Sequence, residues 1–295
     1  MSKAARLKAA RRAAAAAEQK AQAYASADFS RKLDRALTHI DALDKSIHEW
    51  LDSDAYILVE ETEPETGYQV VVPKITEAPR DEWPLLIGDA VHNIRSALDH
   101  LVYALAVKGY QAKHPGQNFP PGVEKRLMFP ILTASPDPKR TIETYYADIA
   151  KTQLQHVPAR AAARIESLQP YKRSSAAPPA DPLAIVNELD IIDKHRRLNT
   201  LAIAPPLQGM QIGGGDVHIE LLEMVGGPIK HNTPIMRYSI RAIGKTPVHM
   251  HRRFARAVAL GDGPPATQGR EVVAVLRELR EYIIDSVLSE FAEFF

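Results

Sequence analysis

Apolar residues recur at three- and four-residue steps along much of the chain, which is the spacing of amphipathic helices. The clearest line runs from Ile87 through Ile94 to Leu105. Asp181 followed by Pro182 is a typical helix start, because an aspartate caps free amides and proline suits the first helical position. The pattern predicts helices over residues 30–52, 82–108, 139–168, 182–198 and 270–294.

Two other regions alternate between apolar and polar residues, as half-buried strands do. The first, residues 55–73, is split by a turn-like stretch and predicts a β-hairpin. The second, residues 208–245, is punctuated by glycines and predicts a β-meander. Between them, residues 111–138 are rich in Pro, Gly and Lys and predict a long surface loop. We therefore expect an α+β fold, predominantly α, in which the hairpin and a meander in the C-terminal half pack at the edge of a helical bundle.

The length of 295 residues suits one large core. We expect residues 29–295 to form a single globular domain, mainly helical over 29–200, with a β-rich insert over 208–245 and a closing helix over 268–295. Residues 1–28 predict a basic, Ala-rich helical arm, whose first 27 residues hold six lysines and arginines against one glutamate. The arm is either a solvated extension of the next helix or a tail that binds nucleic acid or a partner.

Composition narrows the classes of protein that remain. The chain has no cysteine, which excludes disulfides and thiolate zinc sites. It has no apolar run of about 18 to 20 residues and no secretory signal pattern, so we expect a cytoplasmic protein without membrane association. The net charge of +1 gives no global attraction to nucleic acid.

One helix carries an unusual polar face. Opposite the apolar line of the segment 82–108 lie short polar side chains, with Arg95 and Asp99 on the flank of that face. Neither Lys nor Glu occurs among them, although solvated helix faces are usually rich in both. The face is therefore typical of a pocket or an interface, and its members are Asp89, His92, Asn93, Ser96, His100 and Tyr103.

Arg95 and His100 stand in an Arg-x4-His arrangement. This resembles the motif of the HEPN superfamily, whose members are helical bundles that often act as metal-independent ribonucleases. The resemblance implies that Arg95 holds a phosphate and that His100 is the acid-base group, with His92, Asn93 and Asp99 in supporting catalytic roles. A guanidinium binds phosphate oxygens in a fork, and an imidazole exchanges protons near neutral pH, so the two residue types suit RNA cleavage.

The same resemblance implies further properties. The motif helices of two protomers typically pair, which predicts a homodimer with RNA as its partner and no cofactor. The product would carry a 2′,3′-cyclic phosphate, and the biological setting would be toxin or phage-defence activity. Residues 85–200 also resemble a group of bacterial and phage proteins of unknown function, through the phrases around His92, Gln169 and His195.

A second polar face lies on the predicted helix 182–198. Asn187, Lys194 and His195 fall within about 80° of one another on a helical wheel. They predict a substrate-binding surface that faces the first polar face. The alternative is that this is simply the charged end of a helix, where cations are favoured.

Two other functions compete with the ribonuclease. A metal site would use nitrogen and oxygen ligands from His92, Asp99, His100 and His195. No His-x-x-x-His spacing occurs in the sequence, so we expect no metal. The other is a non-enzymatic interaction or structural protein, whose polar helix faces form a packing or partner interface. The ribonuclease predicts an accessible Arg95 and His100, whereas the interaction protein predicts that both are buried and bonded to neighbours such as Asn187 and Glu188.

Overall fold

The computed structural model describes residues 27–195, 198, 200–203, 209–224, 229–253, 257–261 and 263–295. Most of the predicted arm, residues 1–26, lies outside this part of the chain, and Asp28 already begins the first helix. The helices are α1 (Asp28–Asp52), α2 (Trp83–Lys113), α3 (Ile142–Gln153), α4 (Ala159–Ser167), α5 (Pro170–Arg173), α6 (Pro182–His195) and α7 (Val272–Tyr282). The strands are β1 (Tyr56–Thr62), β2 (Gln69–Ile75), β3 (Thr200–Ile203), β4 (Gly209–Met224), β5 (Met236–Arg253) and β6 (Ala257–Leu260). The predicted α+β, predominantly α fold is confirmed.

The two longest helices, α1 and α2, form the centre of the core. Each buries a continuous apolar line at helical spacing, as the sequence predicts. Near the end of α1, the rings of Trp50 and Trp83 meet edge to face at 5.4 Å. The indole nitrogen of Trp83 donates to the hydroxyl of Ser46 at 2.9 Å, so the buried polar atom is bonded.

The closing helix begins as α7, which packs along α1, and its helical winding changes after Tyr282. Arg277 bonds both Asp41 and Asp44, at 3.2 and 2.7 Å. After α7 the chain continues as a π turn over Ile283–Val287 and a 3-10 helix over Leu288–Phe294. Ile283 and Val287 are both fully buried in this turn, so the apolar face of α7 continues through the change of winding.

The strands form two antiparallel sheets. The larger sheet has the order β1-β2-β5-β4, and the smaller pairs β3 with β6. The region predicted as a meander forms two long paired strands, β4 and β5, and the second runs past residue 245 to Arg253. These strands and the predicted hairpin are parts of one sheet, joined where Val71 pairs with Met236. Alternation along one strand cannot show which strand lies beside it, because the partner is distant in sequence.

The segment predicted as a surface loop is partly buried. Helix α2 extends into it as far as Lys113, and Phe129 is fully buried in the core. The prediction of a surface loop is therefore wrong around residue 129. A separate finding is that, within the described part of the chain, no helix is both long and apolar enough to cross a membrane.

Candidate functional site

Arg95 is a buried residue on α2, with 7% of its surface exposed. Its Nη1 donates to Asp99 Oδ1 at 2.7 Å and its Nη2 to the carbonyl of Phe129 at 3.0 Å. Its Nε donates to Asn187 Oδ1 on α6 at 3.3 Å. Each of the three guanidinium nitrogens thus has a protein partner, and the charge is neutralised by the carboxylate one turn away.

Asp99 completes a two-sided hold on Phe129. Its Oδ1 accepts the backbone N–H of Phe129 at 2.9 Å, while Arg95 takes the carbonyl of the same residue. The pair therefore binds both backbone polar groups of Phe129, as a neighbouring strand would do. Asn187, predicted to bind substrate, instead joins α6 to this pair.

Gln169 continues this hold along the chain, and it is fully buried. Its Nε2 donates to the carbonyl of Pro130 at 2.7 Å, and its Oε1 accepts the N–H of Leu132 at 3.1 Å. We call residues 128–132 the clamped segment. Its backbone is bonded by these side chains and by the backbone of Gln153 and Tyr171 rather than by a sheet, so a non-helical segment can lie against the core.

A different arrangement lies one turn before Arg95 on the same helix. The Nδ1 of His92 lies 3.3 Å from Asp190 Oδ1, and the Nζ of Lys194 donates to Asp190 Oδ2 at 2.5 Å. The Asp190 side chain is only 4% exposed, whereas those of His92 and Lys194 are 57% and 56% exposed. We call these three residues the His92–Asp190–Lys194 group. A buried carboxylate here holds an imidazole and an ammonium that both reach solvent.

A second carboxylate stands beside this group. Asp193 lies against Gly88 of α2, so closely that a Cβ at Gly88 would overlap its carboxylate. Burial raises the pKa of Asp193, and the charges of Asp190 and Asp89 raise it further. Glycine at position 88 therefore leaves room for the carboxylate of Asp193 against α2.

The remaining predicted residues are spread around these two arrangements. Asn93 bonds back to the carbonyl of Asp89 at 2.7 Å, a local helix contact. His100 is half-buried and has no hydrogen bond or ion pair within the described part of the chain, and His195 is exposed at the end of α6. The structure thus brings His92 and Lys194 together, and places Arg95, Asp99 and Asn187 in a separate packed network.

Sequence reasoning missed Asp190 and Gln169. Asp190 lies on the buried side of α6 among apolar residues and four residues before Lys194. An acid on an apolar line, with a base at the next turn, indicates a buried ionic group. Gln169 had no such signal, since its partners are backbone atoms of a distant segment.

Comparison with known proteins adds no identification, because no family model, curated protein or solved structure matches the chain. Among the described residues, no group of three or more His, Asp or Glu side chains is arranged to hold a metal ion.

Proposed function

We propose that the chain is a HEPN-like, metal-independent endoribonuclease whose acid-base group is His92. The observation that supports this most directly is the His92–Asp190–Lys194 group. A carboxylate at Nδ1 orients an imidazole and leaves Nε2 as the nitrogen that exchanges a proton with a substrate. Lys194 is paired with the other oxygen of the same carboxylate, and its side chain is 56% exposed, so its ammonium can also bind a phosphodiester from solvent.

The chemistry is transesterification within the RNA. His92 Nε2 takes the proton of a ribose 2′-hydroxyl, and the resulting oxygen attacks the adjacent phosphorus. The bond from phosphorus to the 5′-oxygen breaks, and that oxygen takes up a proton from a second acid, for which His195, next to Lys194 on α6, is the candidate imidazole. The products are a 2′,3′-cyclic phosphate and a free 5′-hydroxyl, and Lys194 stabilises the extra negative charge on the phosphorane.

In this proposal Arg95 has a positioning role. Its buried guanidinium fixes α2 against α6 and the clamped segment, and so sets the distance between His92 and Asp190. The family resemblance implies that Arg95 binds the phosphate. The bonds of Arg95 to Asp99, Phe129 and Asn187 favour Lys194 for that role instead.

The test is cleavage of a labelled RNA pool by purified protein in EDTA. We expect His92→Ala to abolish cleavage and added imidazole to restore part of it, because a small base can occupy the space of the lost side chain. Lys194→Ala should reduce the rate at least tenfold. His48→Ala on α1 is the matched control, since His48 also pairs with an aspartate and is exposed. Equal cleavage by the wild type and His92→Ala would contradict the proposal.

A second function is favoured by the burial of Arg95. In a non-enzymatic interaction protein, the polar faces of α2 and α6 serve to pair the helices, and their outer surface binds a partner. Ile191 on α6 and Met128 in the clamped segment are exposed apolar residues that suit a partner surface, including that of a second copy in a homodimer. Sedimentation of the wild type and Ile191→Ser tests it: a dimer lost in the variant, with no RNA cleavage by either form, would favour this function.

A further inference from the structure

Five aromatic rings meet near the C-terminal end of α2. The ring of Tyr110 lies 4.5 Å from His114, 5.1 Å from His156 and 5.5 Å from Phe119, between ring centres. Phe119 in turn contacts Tyr103 at 5.8 Å. We call these five residues the aromatic cluster. Mutual ring contacts hold the cluster in one shape.

The cluster has a buried base and an exposed top. Tyr110 is buried, and its hydroxyl donates to Gln117 at 3.3 Å. The backbone of His156 has a φ of +68°, which is unusual for a residue with a side chain and requires support from its surroundings. Tyr103, by contrast, is 44% exposed. Part of the Tyr103 ring is therefore presented to solvent while the ring is supported by its contact with Phe119.

The two segments that carry the cluster contain no acidic residue. Neither residues 100–123 nor residues 149–165 hold an Asp or a Glu, although one residue in four of the whole chain is charged. Lys113 and His114 have no acidic partner within the described part of the chain. Carboxylates would accompany the rings in a site for an organic cation, so the charge here favours a negatively charged ligand with a planar group.

The cluster is also aligned with the proposed acid-base group. Tyr103 follows His92 by eleven residues on one helix, which is about 16 Å along the axis and about 20° around it. His100 lies one turn before Tyr103. A strand of nucleic acid that follows this face of α2 would therefore meet His92, His100 and Tyr103 in turn.

We propose that Tyr103 stacks against an unpaired base of single-stranded RNA whose backbone extends along α2 to the His92–Asp190–Lys194 group. This inference rests on the proposed ribonuclease function, and it adds that the substrate is single-stranded and is held by a base a few nucleotides from the cleaved bond. Bases stack on aromatic side chains largely without regard to sequence. We call the exposed ring of Tyr103 on the aromatic cluster the platform. The platform therefore selects an unpaired strand rather than a particular sequence.

Binding of short oligonucleotides, measured by fluorescence anisotropy, tests the platform without cleavage. The probes are a labelled 2′-O-methyl octanucleotide, which lacks the 2′-hydroxyl nucleophile, and an abasic octamer of the same charge. We expect the wild type to prefer the base-bearing probe by about tenfold or more, Tyr103→Phe to keep that preference, and Tyr103→Leu to lose it. Tyr68→Leu on the β-hairpin is the matched control and should behave like the wild type.

The outcomes separate this inference from the proposed function. Equal binding of both probes by the wild type, an unchanged preference in Tyr103→Leu, or binding of neither probe would each overturn the platform. A preference that depends on Tyr103, together with no cleavage of ordinary RNA by the wild type, would support the platform and overturn the ribonuclease.

Discussion

The backbone carbonyl of His156 lies directly against Gly109 of α2, in the place that a Cβ on that residue would occupy. Gly109 thereby lets the turn before α4 approach the helix and bring His156 into the aromatic cluster. Alanine is otherwise favoured over glycine within a helix by about 1 kcal/mol. Sequence propensity and packing thus make opposite predictions at this position.

Gly109→Ala is expected to lower the free energy of unfolding by about 2 kcal/mol, because a backbone atom must move to admit the methyl group. Urea denaturation measures the change. Gly88→Ala on the same helix is the control: it meets the side chain of Asp193, which can rotate away, so its effect should be smaller. A Gly109→Ala variant that is more stable than the wild type would show that the carbonyl of His156 does not pack directly against position 109.

Arg95→Ala is expected to destabilise the protein by about 3 kcal/mol, since it leaves the buried carbonyl of Phe129 without its donor and the carboxylate of Asp99 without its counter-charge. Arg95→Lys should recover little, because one ammonium cannot bond three directions as the guanidinium does. Arg31→Ala removes an exposed arginine from α1 and should change stability by less than about 0.5 kcal/mol. Chemical denaturation of the three variants measures these changes in the free energy of unfolding. An Arg95→Ala variant that is as stable as the wild type but fails to cleave RNA would indicate a direct catalytic role for Arg95.

Gln169→Leu nearly keeps the volume of the side chain but removes the hydrogen-bond partners of the buried carbonyl of Pro130 and the partly buried N–H of Leu132. We expect a loss of about 2 to 4 kcal/mol and faster hydrogen exchange at the amide of Leu132. Gln155→Leu, which removes only a bond from Arg126, is the matched control. Unchanged exchange at Leu132 would mean that the clamped segment is held by packing alone.

The pKa of Asp193 gives a pH-dependent prediction. Because the folded state raises this pKa, Asp193 binds its proton more tightly in the native protein than in the unfolded chain, and its contribution to stability falls as the pH rises above about 4. Asp193→Asn should therefore be more stable than the wild type at pH 7, by less than about 1 kcal/mol since the group is partly solvated. The difference should shrink toward pH 3.

Thermal unfolding across this pH range measures the effect of Asp193→Asn. Asp285→Asn, at an exposed position on the closing helix, controls for the loss of one negative charge. A gain from Asp193→Asn that is the same at pH 3 and pH 7 would rule out titration of Asp193 as its cause.

Local patterns predicted much of the fold. Apolar spacing located the helices to within a few residues, and Asp181 caps α6 as predicted, accepting the N–H of Leu183 at 2.9 Å. What the sequence could not show was contact between distant residues. The partners of Arg95 include the backbone of residue 129, and neither the spacing nor the composition of α2 reveals such a bond.

The same limit applied to the candidate site. The sequence indicated that α2 and α6 carry the polar residues of interest, and His92 and Lys194 were among them. It assigned the main roles to Arg95 and His100, because the spacing of a motif does not reveal burial. The position of Asp190 on an apolar line before Lys194 was a signal in the sequence, but its contact with His92 becomes recognisable only when the two helices lie side by side.

The order of strands in the larger sheet has a consequence for the synthesis of the protein. The apolar strand β2 is complete early in translation, but Met236, which pairs with Val71, comes 165 residues later in the chain. At a typical rate of synthesis of about 5 to 20 residues per second, the edge of β2 stays unpaired for roughly 8 to 33 seconds before Met236 is added. During that interval the stretch from Val70 to Val72 can pair with another nascent chain, so crowding of ribosomes on one message would favour aggregation at this edge.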